Sequence, residues 1–490
     1  MLPLARAVAR RVLARYLARP VTQPARPPAY FPQDLRRLLR LAGPIALAQA
    51  GITAMTLIDT AIVGRMSVKE LAAASMGRAI LFASGGLSVG VASAIEPLAA
   101  QALGAGEVGR ARSALGVTLQ ACLLMSAVSV LLGFLVTLVL VPMGIDADLV
   151  PGVRRFMLGH VPATFCYALF SAGRTFLQVY GRTRPAIVAV LIANVVNFLA
   201  CSVLVRGDEA LAVVGLPALG LPQLGALGAG LSASIGGVVL VAVILRAAAS
   251  HGDTQRDTQR DAQEAAHPDA SAGPGARVTL AQVLRLGTPA GMQILIEGGV
   301  FSAVALVAGK MGIHAVSAHQ VAIGLASFSF MSVLGVSSAT AVAVGYAVGA
   351  GRPARRPGLL GITTGGALMT ISALIFTLFP RALVGLFTED PEVIAVGVSL
   401  MRMAAIFQIF DGVQAVATGA LRGAGDTRVP FVATVMGHWL VGFPLALLCG
   451  FVLKLGAVGL WMGLTAGLMA VSVLLTGRFI VLTRGVVARV

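Results

Sequence analysis

Long apolar stretches of about 20 residues or more recur along this chain of 490 residues. A helix of about 20 apolar residues crosses the ~30 Å hydrocarbon core of a bilayer, so each stretch predicts a transmembrane helix. A membrane barrel would need short strands of alternating polarity, a pattern that this sequence lacks. The twelve predicted spans are 41–63, 80–102, 114–141, 156–178, 186–205, 224–246, 281–308, 316–347, 359–383, 393–420, 430–453 and 457–482.

The chain also repeats itself at an offset of about 245 residues. Three pairs of segments keep nearly this register: 64–66 with 309–311, 104–106 with 349–351, and 181–184 with 425–428. Six helices per copy give both copies the same orientation in the membrane. We therefore predict an all-α membrane protein of about twelve transmembrane helices, in two six-helix lobes related by a pseudo-twofold axis around a central cavity.

A polar segment at 247–279 separates the two copies. Its polar, small-residue composition predicts a flexible cytoplasmic linker between an N-lobe at 35–246 and a C-lobe at 280–490. Residues 1–34 are basic, which favours a cytoplasmic tail that is disordered or lies at the membrane interface. An organelle transit peptide and an over-extended start are the alternatives for this tail.

Composition excludes a soluble protein, because 57% of the residues are hydrophobic and only 12% are charged. Soluble chains carry about 25% charged residues. The net charge of +17 would suggest nucleic acid in a soluble chain, but no basic stripe is interleaved with aromatic residues here. Basic loops instead predict a cytoplasmic location for both chain termini and contact with anionic lipid. The four cysteines lie in apolar runs without metal-ligand spacing, so no metal or cofactor is expected.

Four of the 20 acidic residues lie within or near the ends of predicted spans: Asp59, Glu96, Glu297 and Asp411. A charge at the centre of a bilayer costs ~3 kcal/mol, which implies a use for such residues. Desolvation favours the protonated form of a buried carboxylate, so these groups can take up a proton or exchange it for Na⁺. We interpret Glu297, Asp411 and Asp59 as cation-coupling residues and Glu96 as a cavity residue nearer the cytoplasm. A structural hydrogen bond between helices is the alternative for each acid.

Several polar side chains are expected to line the same cavity. Gln408 and Gln414 lie three residues either side of Asp411 and share one helix face with it. The others are His319, Gln320 and Asn197. Hydrogen bonds between helices are the alternative role for all five. Arg402 is interpreted as the one basic residue within a span.

Five segments in this order and spacing are typical of one transporter family: IDTAIVGRM, AQALGAG, GRTRP, AHQVA and FDGVQAVATGALRGAGDTR. On these segments the sequence from about residue 35 to 485 resembles the multidrug and toxic compound extrusion (MATE) transporters. The resemblance implies a bacterial inner-membrane antiporter in which inward H⁺ or Na⁺ drives the export of hydrophobic, often cationic compounds and drugs. It also implies roles for four acids, since family carboxylates on helices 7, 10 and 1 match Glu297, Asp411 and Asp59, and a plant-type motif matches Glu96.

Two departures from the family bear on the coupling ion. One branch has an NxxxD motif on helix 5, where this chain has Asn197 and Cys201, so the carboxylate is missing. Some sodium-coupled relatives have a tyrosine one turn before the helix 10 aspartate, where Phe407 stands here. A phenyl ring gives no oxygen ligand to a hard cation. Phe407 is therefore expected to line the cavity, and protons are favoured over a Na⁺ ion at Glu297 and Asp411.

Drug export has three alternatives. A lipid-linked oligosaccharide flippase of the same superfamily would need cationic side chains for a pyrophosphate, and Arg402 is the only candidate. An enzyme is not expected, because no nucleophile–base pair or HExxH motif is present. A channel is disfavoured because no filter-like repeat is visible. We expect a monomer.

Overall fold

The computed structural model describes residues 31–213, 217, 219–265 and 277–490. Twelve of the described helices are long and apolar enough to cross a membrane, as predicted. Their bounds are α1 Asp34–Gly64, α2 Lys69–Gly104, α3 Val108–Val139, α4 Ala147–Val179, α5 Arg184–Arg206, α6 Gly225–Ala249, α7 Leu280–Gly309, α8 Ile313–Gly349, α9 Arg355–Leu378, α10 Pro391–Gly423, α11 Arg428–Val452 and α12 Gly456–Leu482.

Helix α2 begins earlier than the predicted residue 80. The Ser67 side chain accepts hydrogen bonds from the backbone amides of Lys69 and Glu70, and these bonds cap the first turn. Charged residues between 69 and 79 lower the hydropathy of this stretch, so the hydropathy pattern did not include it in the predicted span. The earlier start adds Arg78 to the membrane-spanning part of α2.

The first part of the segment 247–279, predicted as a linker, is helical. The α6 helix continues beyond its membrane-spanning portion, so that the whole helix is Gly225–Ala265. Residues 266–276 and the predicted tail at 1–30 lie outside the described residues.

The two lobes have the same internal packing. In the N-lobe, α6 packs along α4 and α5, and α2 packs along α4. The C-lobe repeats these contacts six helices later: α12 packs along α10 and α11, and α8 packs along α10. The duplicated sequence therefore folds into duplicated lobes, and each lobe buries a core of its own.

Small residues hold the two lobes together. A Cβ atom added to Gly90 on α2 would lie 2.1 Å from the backbone nitrogen of Gly291 on α7. At the position equivalent to Gly90, a Cβ atom added to Gly335 on α8 would lie 2.3 Å from the carbonyl oxygen of Ala42 on α1. Small residues let helix backbones approach this closely in lipid. The α2–α7 and α1–α8 contacts are thus equivalent, as a pseudo-twofold axis requires.

Hydrogen bonds between the lobes follow the same symmetry. The Gln101 side chain donates to the carbonyl oxygen of Gly423 at 3.0 Å, and the Tyr346 hydroxyl donates to that of Val179 at 3.2 Å. Gln101 and Tyr346 are equivalent in the two copies, and so are Val179 and Gly423. Each lobe therefore donates one such bond to the last turn of a helix in the other.

These contacts lie on one side of the membrane. We call this the closed side, which carries the loops at 105–107 and 350–354, and call the opposite side the open side. The faces of α1 and α2 that contact the other lobe continue toward the open side, but there their side chains are exposed. Leu57, one turn beyond Thr53, is 64% exposed, and Phe82, one turn beyond Gly86, is 78% exposed. The lobes therefore diverge toward the open side and leave a cleft between them.

The close glycine contact predicts a specific sensitivity to added volume. Gly90→Ala is expected to lower the free energy of unfolding by ~1–3 kcal/mol, since the new methyl group overlaps the α7 backbone. Thermal unfolding of the purified protein in detergent measures this loss. Gly85→Ala is the matched control on the same helix, because nothing lies within 4 Å of its added Cβ. Equal melting temperatures for both variants would contradict the close contact.

Candidate functional site

Two carboxylates lie near each other in the middle of the C-lobe. Glu297 lies on α7 and Asp411 on α10, each about a dozen residues or more from the ends of its helix. The Gln414 side-chain amide donates to Glu297 at 3.4 Å, and the two acids lie within electrostatic range of each other. Asp411 is buried and Glu297 is half-buried next to the exposed Gly298. The structure thus brings together the two acids that the sequence places on helices 7 and 10.

The backbone beside Glu297 is fixed by α11. The indole N–H of Trp439 donates to the carbonyl oxygen of Ile296 at 3.1 Å. Trp439 lies in a π-helical stretch, Val435–Gly442, of the kind often found at functional sites. A Cβ atom on Gly299 would lie 3.4 Å from the Trp439 ring, so the small residue lets the indole approach. Helix α11 thereby supports the turn that carries Glu297.

An aromatic cluster lies one turn from both acids, toward the open side. Phe407 contacts Phe301 at 6.0 Å and Trp461 at 5.5 Å between ring centroids. The Trp461 indole donates to His319 Nδ1 at 3.1 Å. Phe407 and His319 were expected to line the cavity, but both are buried within the C-lobe. Their ring partners from neighbouring helices cover them, so they support the site from behind.

The remaining polar residues of the C-lobe divide into two groups. Gln408 is buried and donates to the Ser329 hydroxyl, so it is an interhelical bond and does not line an open cavity as expected. Gln320 is exposed on α8. Gln414 is buried beside Glu297, and its Oε1 atom has no hydrogen-bond partner. Gln414 is therefore the one of these three that belongs to the carboxylate pair.

The N-lobe holds a separate polar cluster closer to the open side. The Asn197 amide on α5 donates to the Asp59 carboxylate on α1 at 2.5 Å. Arg78 on α2 donates to the carbonyl oxygen of Thr56 at 2.8 Å and to the Thr60 hydroxyl at 2.9 Å. Thr56 and Thr60 flank Asp59 on α1. The positive charge of Arg78 also acts electrostatically on the Asp59 carboxylate. The predicted Asp59 and Asn197 are thus brought together, with a basic residue that the sequence reasoning missed.

Arg78 was missed because the predicted span began at residue 80. The signal was nevertheless present, since the polar turn at 64–67 ends in Ser67, a favoured helix N-cap. A helix that starts at this cap includes Arg78.

Glu96 lies between the lobes near the closed side and is not exposed to the open cleft. Its carboxylate pairs with the Arg422 guanidinium of α10 at 2.6 Å and accepts a hydrogen bond from Ser338 of α8 at 2.6 Å. The role expected for Glu96 was a cavity residue. The structure instead places it in a buried ion pair that joins the N-lobe to the C-lobe.

The sequence analysis interpreted Arg402 as the one basic residue within a span, and this interpretation is wrong. Arg402 is exposed on α10, whereas Arg78, Arg174 and Arg422 all point into the protein. Arg174 donates to Gln49 and lies over the Phe170 ring at 5.8 Å. Partners on other helices let these three arginines be buried.

The chemistry of the lobes is not duplicated, although the fold is. At the register of the repeat, Ile52 stands at the N-lobe position of Glu297, and Val304 at the C-lobe position of Asp59. Each lobe therefore carries a carboxylate where the other carries an aliphatic residue. The C-lobe has a pair of acids, and the N-lobe has one acid beside a base.

Within the described part of the chain, no group of three His, Cys, Asp or Glu side chains could hold a metal ion. Glu297, Asp411 and Gln414 do bring carboxylate and amide oxygens together, which are the ligands that hard cations prefer. The pair can thus exchange protons, and its oxygen atoms also suit an alkali cation.

Twelve membrane-spanning helices in two duplicated lobes, with acids buried around an interlobe cleft, define an integral membrane transporter and not an enzyme. The MatE family model matches residues 44–203 and 289–448. The chain belongs to the MATE family.

Individual relatives cover nearly the whole chain. It is 37% identical to the "probable multidrug resistance protein NorM" of Deinococcus radiodurans, over 92% of this chain and 96% of that protein. It is 34% identical to a protein of the same name from Pseudomonas aeruginosa, over 91% and 89% of the two chains. The crystal structure of the eukaryotic MATE transporter AtDTX14 superposes with a TM-score of 0.75 and 21% identity, covering 92% of this chain and 96% of that one.

The interlobe ion pair predicts a large loss of stability when its base is removed. Arg422→Met is expected to lower the free energy of unfolding by ~3 kcal/mol or more, because Glu96 stays buried without a counter-charge. The double variant Glu96→Gln/Arg422→Met is expected to regain much of this loss. Thermal unfolding in detergent measures both effects. Arg402→Met is the matched control on the same helix, and an equal loss in this control would contradict the buried pairing.

Proposed function

We propose that this protein is a multidrug efflux antiporter that exports hydrophobic, often cationic small molecules in exchange for H⁺. The observation that carries the proposal is the Glu297–Asp411 pair, buried halfway across the membrane with Gln414 beside it. The proposal agrees with the names of the NorM relatives, which are described as multidrug resistance proteins. It places the protein in the bacterial inner membrane as a monomer.

Exchange follows from competition at the acid pair. Two carboxylates in a region of low dielectric repel each other, so a proton or a cation must bind before the pair is stable. A cationic substrate and protons then compete for the same negative charge. Glu297 borders the exposed Gly298, which gives a substrate in the cleft access to the pair.

Transport requires the cleft to open on each side in turn. The closed side carries the Arg-rich loops, such as Arg182 and Arg352, and we assign it to the cytoplasm by the excess of positive charge. The described conformation is then open to the outside, with both chain termini in the cytoplasm. In this state the acids load protons from outside, and rocking of the lobes breaks the Glu96–Arg422 pair to admit substrate from the cytoplasm.

Protons are favoured over Na⁺ as the coupling ion. Phe407, one turn before Asp411, packs against other rings and offers no oxygen to a cation. Na⁺ coupling is the alternative, and the oxygen atoms of Glu297, Asp411 and Gln414 support it. A separate test of the two gradients distinguishes these ions.

A lipid-linked oligosaccharide flippase is the second candidate function. The sequence analysis named only Arg402 as a cationic candidate for a flippase, whereas the structure has three arginines in the protein interior. This difference favours a flippase, because pyrophosphate binds guanidinium groups. Each of them has protein partners, however: Arg422 binds Glu96, Arg174 binds Gln49, and Arg78 binds Thr56 and Thr60. The acid pair of the C-lobe contains no base, which favours a cationic cargo over an anionic one.

Loss of either acid of the pair is expected to abolish export. Glu297→Gln and Asp411→Asn each keep the shape of the side chain but remove the group that exchanges a proton for substrate. Accumulation of an ethidium-like dye, in cells that lack their own pumps, should return to the level without the transporter. Glu392→Gln is the matched control, an exposed acid on α10. Full export by both variants, with normal expression, would remove these acids from the mechanism.

Separate ion gradients are expected to identify the coupling ion. In proteoliposomes, a pH gradient without Na⁺ should drive dye movement against its concentration, and a Na⁺ gradient at equal pH should not. The physical reason is that the carboxylate pair binds protons without any other ligand. Transport driven by Na⁺ alone would overturn proton coupling while leaving the antiport proposal intact. No export of any dye in a panel, under either gradient, would count against drug export itself.

A further inference from the structure

The segment at 484–490 follows the last helix of the C-lobe and crosses to the N-lobe on the closed side. Val487 packs against a buried cluster made mainly of C-lobe residues, and Val490 packs against one made mainly of N-lobe residues. Seven residues therefore contact both lobes, although the segment is covalently attached to only one of them.

The polar contacts at the far end of this segment are to the N-lobe. The Arg489 guanidinium pairs with the Glu107 carboxylate, in the loop between α2 and α3. The Val490 amide donates to the Gln101 side chain at 2.9 Å, and Arg110 donates to the Val490 carbonyl oxygen at 2.8 Å. The hydrogen bond from Arg489 is the largest of the influences that lower the pKa of Glu107, which keeps this acid charged.

Gln101 connects the segment to the contact between the lobes. Its Nε2 atom donates to the carbonyl oxygen of Gly423 on α10, while its Oε1 atom accepts from the Val490 amide. A Cβ atom on Gly425, in the loop after α10, would lie 2.4 Å from the Val490 side chain. The end of the segment thus lies at the junction of both lobes.

We propose that residues 484–490 form a strap that holds the lobes together on the closed side and so favours the conformation open on the other side. Opening of the closed side moves the C-lobe away from Glu107, Gln101 and Arg110, and this separation breaks the strap's contacts. The strap therefore adds to the free energy needed to switch conformation. This inference rests on the alternating-access part of the proposed function but not on the cargo or the coupling ion.

The experiment measures the two conformations directly, without substrate or gradient. Spin labels are placed at Gly109→Cys on the N-lobe and Arg352→Cys on the C-lobe, both exposed on the closed side. The four native cysteines are replaced by alanine. Double electron–electron resonance then gives the fraction of molecules with the longer, separated distance.

Loss of the ion pair is expected to raise the separated population. Arg489→Gln should increase it about two- to five-fold, the range for one partly exposed ion pair. Glu107→Gln removes the same ion pair between the lobes and also the pair of Glu107 with Arg110 inside the N-lobe. It should raise the separated population at least as much as Arg489→Gln, and the double variant should add nothing beyond Glu107→Gln, because Arg489 has then already lost its partner. The parent protein in about 1 M salt should approach the variants, since salt screens exposed charges.

Arg484→Gln is the matched control, because it removes the same charge from an exposed position of the same segment. It should leave the distances as in the parent protein. A result for Arg489→Gln that equals this control would overturn the strap, as would additive effects of the two single changes. Size-exclusion chromatography and the melting temperature check folding, and Glu107→Gln tests the pair from the other lobe if Arg489→Gln fails to fold. A failed drug-transport assay has no bearing on this outcome.

Discussion

The close contact between the lobes is the constraint on which the rest of the molecule depends. Helices α1 and α2 reach α8 and α7 only because Gly90, Gly291 and Gly335 have no side chains to separate the backbones. In lipid there is no hydrophobic force between apolar helices, so shape and a few polar bonds decide where they touch. Contact on one side alone leaves a cleft on the other. Access to the buried acids follows from this arrangement.

Polar groups serve two purposes in this apolar surrounding, and depth in the membrane separates them. Near the closed side, Glu96 and Arg422 neutralise each other across the lobes, together with Gln101. Halfway across, the side chain that hydrogen-bonds to Glu297 is the neutral amide of Gln414. A paired charge holds a conformation, whereas unpaired acids need a mobile ion or a cationic cargo. The same residue type thus forms a contact between the lobes at one depth and, in the proposed function, a binding group at another.

Duplication explains the fold but not the chemistry. The repeat gives both lobes the same helix packing and equivalent hydrogen bonds through Gln101 and Tyr346. The acids do not follow the repeat, since the position equivalent to Glu297 is Ile52. The pseudo-twofold symmetry is therefore kept in the surfaces through which the two lobes contact each other. The polar side chains are free to differ between the lobes, because each of the two polar clusters is built from helices of one lobe.

The sequence by itself determined the twelve helices, the two lobes and the four acids, because apolar length and the cost of burying charge are local properties that one chain displays directly. Only the tertiary structure decided which polar groups meet. It paired Glu96 with Arg422, brought Arg78 to the turn around Asp59, and buried Phe407 and His319 behind the acids. These pairings depend on how helices far apart in sequence are rotated against each other. Spacing along the chain specifies a helix face but not the neighbour that covers it.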